Sequence, residues 1–227
     1  MSKRIWNLQR GGALSATVGF AVWSVFDELV QKATANQELV AAARRMFSEQ
    51  NGLIEPGHEL FAARSDAFVE WFLLEFVDAD GLTQVERSLC SLPTTDQAYS
   101  CLTALRSSHR SLFQVARSWS GRVLLDDLIG GGRFLVEDDR RFPEISEDDL
   151  FEARVLPVPG RYWSLCLGRA LQFHPREAAS SIRTQIRRAT ERAKTRAEIL
   201  SRLSRLHARC FAYRHVSPAR IYSQTTD

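Results

Sequence analysis

The 227-residue chain has 44% hydrophobic and 25% charged residues, which are ordinary values for a globular protein and argue against disorder. Its net charge of +3 conceals an asymmetry. Residues 176–227 carry 12 Lys/Arg and 4 Asp/Glu, a net of +8, so residues 1–175 carry −5. Four scattered cysteines without a CxxC spacing favour a reduced, cytoplasmic protein over a disulfide-linked secreted one.

The N-terminus contains an apolar run, Ala13–Phe26, which follows three basic residues and has the outline of a signal peptide. Asp27 and Glu28 follow the run directly, without a small-residue cleavage site. Its fourteen residues are also too few to span a bilayer. We therefore expect a buried helix over about 17–33 and no membrane partner.

Four more helix patterns follow this first one. Asn36 is a typical N-cap for a second helix that ends at Asn51-Gly52. The stretch 58–77 is apolar around its whole circumference, which predicts a central helix. Shorter helices over 82–92 and 97–107 complete a predicted helical domain, residues 1–110.

Residues 111–175 contain five short strand-like segments separated by turn signals such as Gly130-Gly131-Gly132. The segments are Ser111–Arg117, Arg122–Leu128, Arg133–Asp138, Leu150–Pro157 and Tyr162–Phe173. Five short strands at this spacing predict a barrel or a curled sheet, and we expect a small β-barrel-like module. The fold class that follows is α+β, with residues 176–227 as a third segment.

Glu75 lies near the end of the central apolar helix, on the same face as Phe68 and Phe72. A buried carboxylate with a raised pKa is a candidate acid or base. Buried glutamates are more often paired, and Arg110 and Arg154 are available in the β-module. We therefore predict a structural ion pair.

Four segments carry a resemblance to a known group of proteins. They are Phe68–Phe76 (FVEWFLLEF), Ser111–Val115 (SLFQV), Val123–Gly131 (VLLDDLIGG) and Leu150–Pro157 (LFEARVLP). Together they resemble a module of uncharacterised bacterial proteins, some of which also carry a cysteine-rich SEC-C metal motif. The chain lacks that cysteine cluster, so the resemblance, over roughly 68–173, implies a bacterial cytosolic protein without a defined activity or cofactor.

Two patterns suggest metal chemistry only weakly. Asp127 and Glu137, ten residues apart on a predicted hairpin, have the outline of a metal-dependent nuclease pair, but residues 111–175 contain no lysine to steady an attacking water. His207, Cys210 and His215 have ligand-like spacing without a visible fourth ligand. We predict no catalytic residue and no metal, with His207 packed in the core.

The C-terminal stretch from about 176 to 209 contains neither Gly nor Pro, which predicts one helix of about 50 Å. Its apolar residues, such as Ile182 and Leu200, fall on one narrow face, and basic residues cover the rest. The candidate contact residues are Arg183, Arg187, Arg188, Arg192, Lys194, Arg196, Arg202, Arg205 and Arg209.

These bases have three alternative partners. Salt bridges within the helix, such as Lys194–Glu198 and Glu198–Arg202, neutralise some of them, and the acidic loop 137–152 is a second candidate. Nucleic-acid phosphate is a third. We expect a non-enzymatic interaction or adaptor protein that contacts another protein, itself included, through this helix. An RNA- or DNA-binding protein is the alternative, and a metal-dependent hydrolase comes third.

Overall fold

A computed structural model describes residues 16–119, 121–137, 145–158 and 165–224. Its N-terminal half is helical, as the sequence predicts. The helices are α1 (Ala16–Thr34), α2 (Gln37–Asn51), α3 (Phe61–Leu74), α4 (Gln84–Ser91) and α5 (Gln97–Arg106). None of the helices in the described ranges is long and apolar enough to cross a membrane.

The predicted helix starts follow from local capping. The Asn36 side chain accepts a hydrogen bond from the Leu39 amide, and Asp96 accepts one from the Ala98 amide, so each caps its helix. Helix α3 is shorter than the predicted 58–77, but it is central. Its Phe68 and Phe72 lie in the core shared by the helical half.

The sheet has six strands rather than five. They are β1 (His109–Trp119), β2 (Arg122–Asp127), β3 (Arg133–Glu137), β4 (Leu150–Pro157), β5 (Leu165–Leu167) and β6 (Gln172–His174). Strands β3, β2, β1 and β4 form an antiparallel run, and β5 and β6 pair with successive parts of the free edge of β4. The concave interior is filled by residues such as Phe113, Val123 and Phe151.

The predicted closure into a barrel is wrong, and the sheet is curled but open. The two ends of the sheet, β3 and β5, meet at a single parallel residue pair, Val136 with Leu165. One pair is too short to form a continuous ladder of hydrogen bonds between the strands. The predicted fifth strand, 162–173, is interrupted at Gly168, and its residues 162–164 lie outside the described ranges. Leu167 is paired with Val155 and Gln172 with Glu152. Four residues, 168–171, therefore lie opposite only two residues of β4, and the strand is broken there.

The predicted long C-terminal helix is also wrong. After a short 3-10 turn at Arg176–Ala178, the chain forms α6 (Ala179–Glu191), α7 (Arg196–Ala212) and α8 (Pro218–Ser223). The break follows from a left-handed residue, Ala193 with φ 54°, and from Thr195, which starts α7. The Thr195 hydroxyl accepts from the Glu198 amide, and the Glu198 carboxylate accepts from the Thr195 amide.

The C-terminal helices share a core with the sheet. Ile182 and Leu203 pack in one cluster with Leu112 of β1 and Leu150 of β4, and fully buried Tyr222 of α8 closes it. Apolar contacts therefore cross the predicted boundary at residue 175. The division into three domains stays a prediction.

Candidate functional site

The outer surface of α6 and of the α6–α7 turn is basic and exposed. Helix α6 buries Ile182 and Ile186 against the sheet, so its opposite side faces solvent. Residues 183–198 contain six basic and two acidic residues. All six basic residues of this segment are exposed. The five that precede Thr195, here called the basic surface, are Arg183, Arg187, Arg188, Arg192 and Lys194.

Only part of this positive charge is neutralised by the segment itself. Lys194 Nζ lies 2.8 Å from Glu198 Oε1, which confirms one predicted salt bridge. Arg187 Nε lies 3.9 Å from Glu191 Oε1, the edge of ion-pair distance. Arg183 donates a 2.8 Å hydrogen bond to the neutral amide oxygen of Gln114 on β1, so its charge is not cancelled there. Residues 183–198 therefore supply more basic than acidic side chains.

Arg196, which begins α7, is attached to the sheet. Its Nη1 donates to His109 Nδ1 at 3.0 Å, and His109 Nε2 lies 2.8 Å from Asp127 Oδ2. Since the arginine can only donate, His109 presents its Nε2 proton to the carboxylate. Asp127 lies 4% exposed at the end of β2. Arg196 is exposed, so its hydrogen bond joins the start of α7 to the sheet at the protein surface.

Two of the remaining candidate residues hold α7 in place. Arg205 Nη1 donates to the backbone oxygen of Gln50 at the end of α2, at 2.6 Å. Arg202 Nη2 donates to the backbone oxygen of Gln224, at 3.2 Å. Arg209 is half-buried. The five predicted contact residues before Thr195 thus form the basic surface, whereas Arg196, Arg202 and Arg205 after it are bonded to other elements of the fold.

The acidic loop is not the partner of the basic surface where the structure describes it. Asp149 Oδ1 accepts from Arg176 Nε at 2.6 Å, ahead of α6, and Asp148 accepts from Gln114. Glu152 is bound by Arg110. Residues 138–144 of this loop lie outside the described ranges.

Ser111, His109 and Asp127 gather at the edge of β1 and β2, but their order is not that of a hydrolytic triad. The Ser111 hydroxyl donates to Asp127 and not to His109, and Ser111 is fully buried. Burial would raise the pKa of Asp127, but hydrogen bonds from His109, Ser111 and the Ile129 and Gly130 amides hold it at about 2. Asp127 thus serves to order the turn after β2.

Asp127 and Glu137 do not share a metal site. Glu137 is opposite Arg122, whereas Asp127 lies at the other end of β2, about 17 Å away along the strand. Glu137 Oε1 accepts from Arg122 Nε at 2.8 Å. Across the described ranges, no group of three His, Cys, Asp or Glu side chains is placed to hold a metal ion.

The predicted ion pair of Glu75 is confirmed, and both candidate arginines take part. Arg154 Nη2 and Arg110 Nη1 donate to its two carboxylate oxygens, the latter at 3.4 Å. Burial would raise the pKa of Glu75, but the two guanidinium groups outweigh it and lower the pKa. A carboxylate held ionised in this way is a structural anion.

The sequence analysis missed Glu70, a second carboxylate in this network. Glu70 is 4% exposed and lies 3.4 Å from Arg154 Nε, and its Oε1 accepts from the Ala170 amide at 3.0 Å. Burial raises its pKa, against the opposing effects of Arg154 and Ala170. A Cβ at Gly168 would lie 2.6 Å from this carboxylate, so the interruption between β5 and β6 makes room for it.

A third buried polar group joins α3, β6, α7 and α8. Arg64 Nη2 donates to the backbone oxygens of Asn51 and Ser204, at 3.2 and 2.7 Å. The rings of His174 and His207 lie 4.9 Å apart, and Tyr222 is hydrogen-bonded to His174 Nδ1 at 2.6 Å. His207 is thus packed in the core, as predicted, and forms no metal site with Cys210 and His215.

Single charged residues inside apolar stretches were the sequence signal for these clusters. Glu70 lies between Val69 and Trp71, and Arg64 occupies the buried side of α3. Their partners were not readable, because Gly168, Ala170 and Ser204 are about one hundred residues or more away and contribute only backbone atoms or space.

Comparison with curated proteins and with solved structures found no match. A family model, described as a family of unknown function, matches residues 24–208. The match extends from α1 to near the end of α7 and includes the sheet, the buried ion pairs and the basic surface. The chain therefore belongs to the family of unknown function DUF7986.

Proposed function

We propose that this protein is a non-enzymatic nucleic-acid-binding protein that contacts phosphates through its basic surface. The observation that carries the proposal is the exposed positive charge on α6, where Arg183 has a neutral partner and Arg187 lies 3.9 Å from Glu191. A cluster of exposed guanidinium groups attracts a polyanion and releases its counterions. Arg183 and Arg187 are therefore available for contact with phosphates.

Contact with a second protein through the apolar side of these helices is less well supported. Ile182, Ile186, Leu200 and Leu203 are at most 5% exposed, because they fill the core against the sheet and α8. A dimer formed through this side would have to open that core. An acidic protein partner at the basic surface is an outcome that the following test distinguishes.

The test is a titration of a labelled 20-nucleotide single strand, followed by fluorescence anisotropy at several salt concentrations. We expect affinity to fall steeply with salt. The triple variant Arg187→Ala/Arg188→Ala/Arg192→Ala should bind about tenfold more weakly and lower the log–log salt slope by about two to three.

A charge-matched control separates the basic surface from net charge. Lys32, Arg45 and Arg106 are exposed on α1, α2 and α5, and their triple alanine variant also removes three positive charges. It should retain nearly full affinity. Equal losses in both triples, or preferential binding of polyglutamate over the oligonucleotide, would contradict the proposal.

A further inference from the structure

The outer side of β1, β2 and β3 carries three cross-strand rows of side chains. The rows are Gln114–Asp126–Arg133, Arg117–Leu124–Leu135 and Trp119–Arg122–Glu137. The opposite side of the same strands fills the sheet interior through residues such as Val115 and Leu125. With the exception of Glu137, the residues in the rows are exposed or half-buried. This outer side is here called the sheet face.

Trp119 is the most prominent side chain of the sheet face. It is 45% exposed, although a tryptophan in a small protein is usually well buried. The guanidinium carbon of Arg117 lies 5.6 Å from its ring centroid, a cation–π distance. Leu124 and Leu135 in the adjacent row are half-buried and extend the apolar area. The sheet face therefore offers a flat aromatic ring beside a positive charge.

The charges of the sheet face are unevenly neutralised. Arg133 is paired with Asp126 at 2.6 Å and Arg122 with Glu137 at 2.8 Å. Arg117 instead lies against the Trp119 ring. An anion that reaches this ring therefore meets a guanidinium group positioned by an aromatic side chain.

The sheet face continues the basic surface. Gln114, in the first row, accepts the hydrogen bond from Arg183 of α6. Successive rows are about 7 Å apart, so the Trp119 row lies about 14 Å from this junction. A strand of nucleic acid that leaves α6 at Arg183 can follow β1 to Trp119 without crossing the core.

We propose that the sheet face is a stacking surface for single-stranded nucleic acid. One base stacks on the Trp119 ring, and a neighbouring phosphate contacts Arg117. The inference rests on the proposed function and specifies its substrate class, because bases paired in a duplex do not present their faces to a protein. Such stacking accepts any base, so little sequence preference is expected.

The experiment compares Trp119→Ala and Trp119→Phe, with Leu53→Ala as control because Leu53 is an exposed apolar residue, 71% exposed, ahead of α3. On a 20-nucleotide single strand, Trp119→Ala should weaken binding about tenfold. Trp119→Phe should retain most of the affinity, because phenylalanine still stacks. Leu53→Ala should bind like the unmodified protein.

An abasic oligonucleotide of equal length separates stacking from charge, since it has the phosphates but no bases. The Trp119→Ala loss should disappear on this probe, whereas the loss in the Arg187/Arg188/Arg192 triple variant should persist. If Trp119→Ala binds the normal strand as tightly as the unmodified protein does, the stacking surface is rejected and the proposed function stands. If the triple variant also binds normally, both are rejected.

Discussion

Arg154 is the arginine that joins Glu70 and Glu75 in the buried ion-pair network. It is 4% exposed and faces the carboxylates of both Glu70 and Glu75. Each of these anions would be costly to bury alone, because burial removes the water that stabilises its charge. Arg154 therefore keeps both anions compatible with the interior between α3 and β4.

Replacement of Arg154 by methionine should cost about 3–5 kcal/mol, because Glu70 loses its arginine inside the protein and Glu75 keeps only Arg110. Urea denaturation measures this loss. Arg133→Met breaks the exposed Arg133–Asp126 pair and should cost about 0–1 kcal/mol. Similar losses in the two variants would mean that the buried network adds nothing beyond a surface ion pair.

His174 and His207 predict a pH dependence. Burial, together with nearby Arg64, lowers the pKa of each to about 3, whereas an unfolded histidine has a pKa of about 6.5. Their stabilisation is therefore complete above pH 6.5 and decreases as the pH falls toward 3. At pH 5 we expect a loss of about 2 kcal/mol per histidine.

The free energy of unfolding at pH 7.5 and at pH 5 tests this expectation. His207→Leu removes one of the two titrating rings, so its stability should change about half as much between these pH values. His215→Gln changes an exposed histidine and should behave like the unmodified protein. If His207→Leu loses as much free energy of unfolding between pH 7.5 and pH 5 as the unmodified protein does, the buried rings are not responsible.

At the scale of single elements, the α6–α7 break was readable and was missed. Thr195 and Glu198 have the spacing of a capping box, which marks a helix start. The absence of Gly and Pro concealed this signal. The left-handed residue that ends a helix is usually glycine, but here it is Ala193. In contrast, the bounds of β4 were predicted correctly, because Leu150, Phe151, Val155 and Leu156 favour a strand and Pro157 ends it.

Ala193→Gly should therefore stabilise the protein by about 1 kcal/mol, because glycine adopts a φ of 54° without the strain of a Cβ. The matched change Ala189→Gly, inside α6, should destabilise it by about 0.5–1 kcal/mol. Thermal or urea unfolding of both variants measures the difference. If both are destabilising, the left-handed turn at Ala193 is wrong.

At the scale of the whole molecule, the α+β class and the order of elements followed from hydrophobic periodicity. The choice between a barrel and a curled sheet did not, nor did the sixth strand, because the interruption at Gly168 depends on a carboxylate from a distant helix. The candidate site was also predicted only in part. Sequence located the positive charge, but tertiary contacts decided that Arg183–Lys194 face outward while Arg202 and Arg205 bind backbone oxygens.

The shared core also predicts that residues 1–175 do not fold alone. Removing 176–227 would expose Leu112 and Leu150, which are fully buried beneath Ile182 and Leu203. We expect the shortened chain to lose cooperative unfolding and to bind a hydrophobic dye, whereas the full chain unfolds in one transition. A cooperative transition in the fragment would instead support separate domains.

Arg64 needs a hydrogen-bond acceptor that is synthesised much later than Arg64 itself. Its guanidinium group lies on α3, yet one of its two backbone acceptors, Ser204, is made 140 residues later. A nascent chain that emerges from the ribosome as far as the sheet holds a cation that lacks its final acceptor. Until Ser204 has been made and α7 has packed, water has to take the place of this acceptor.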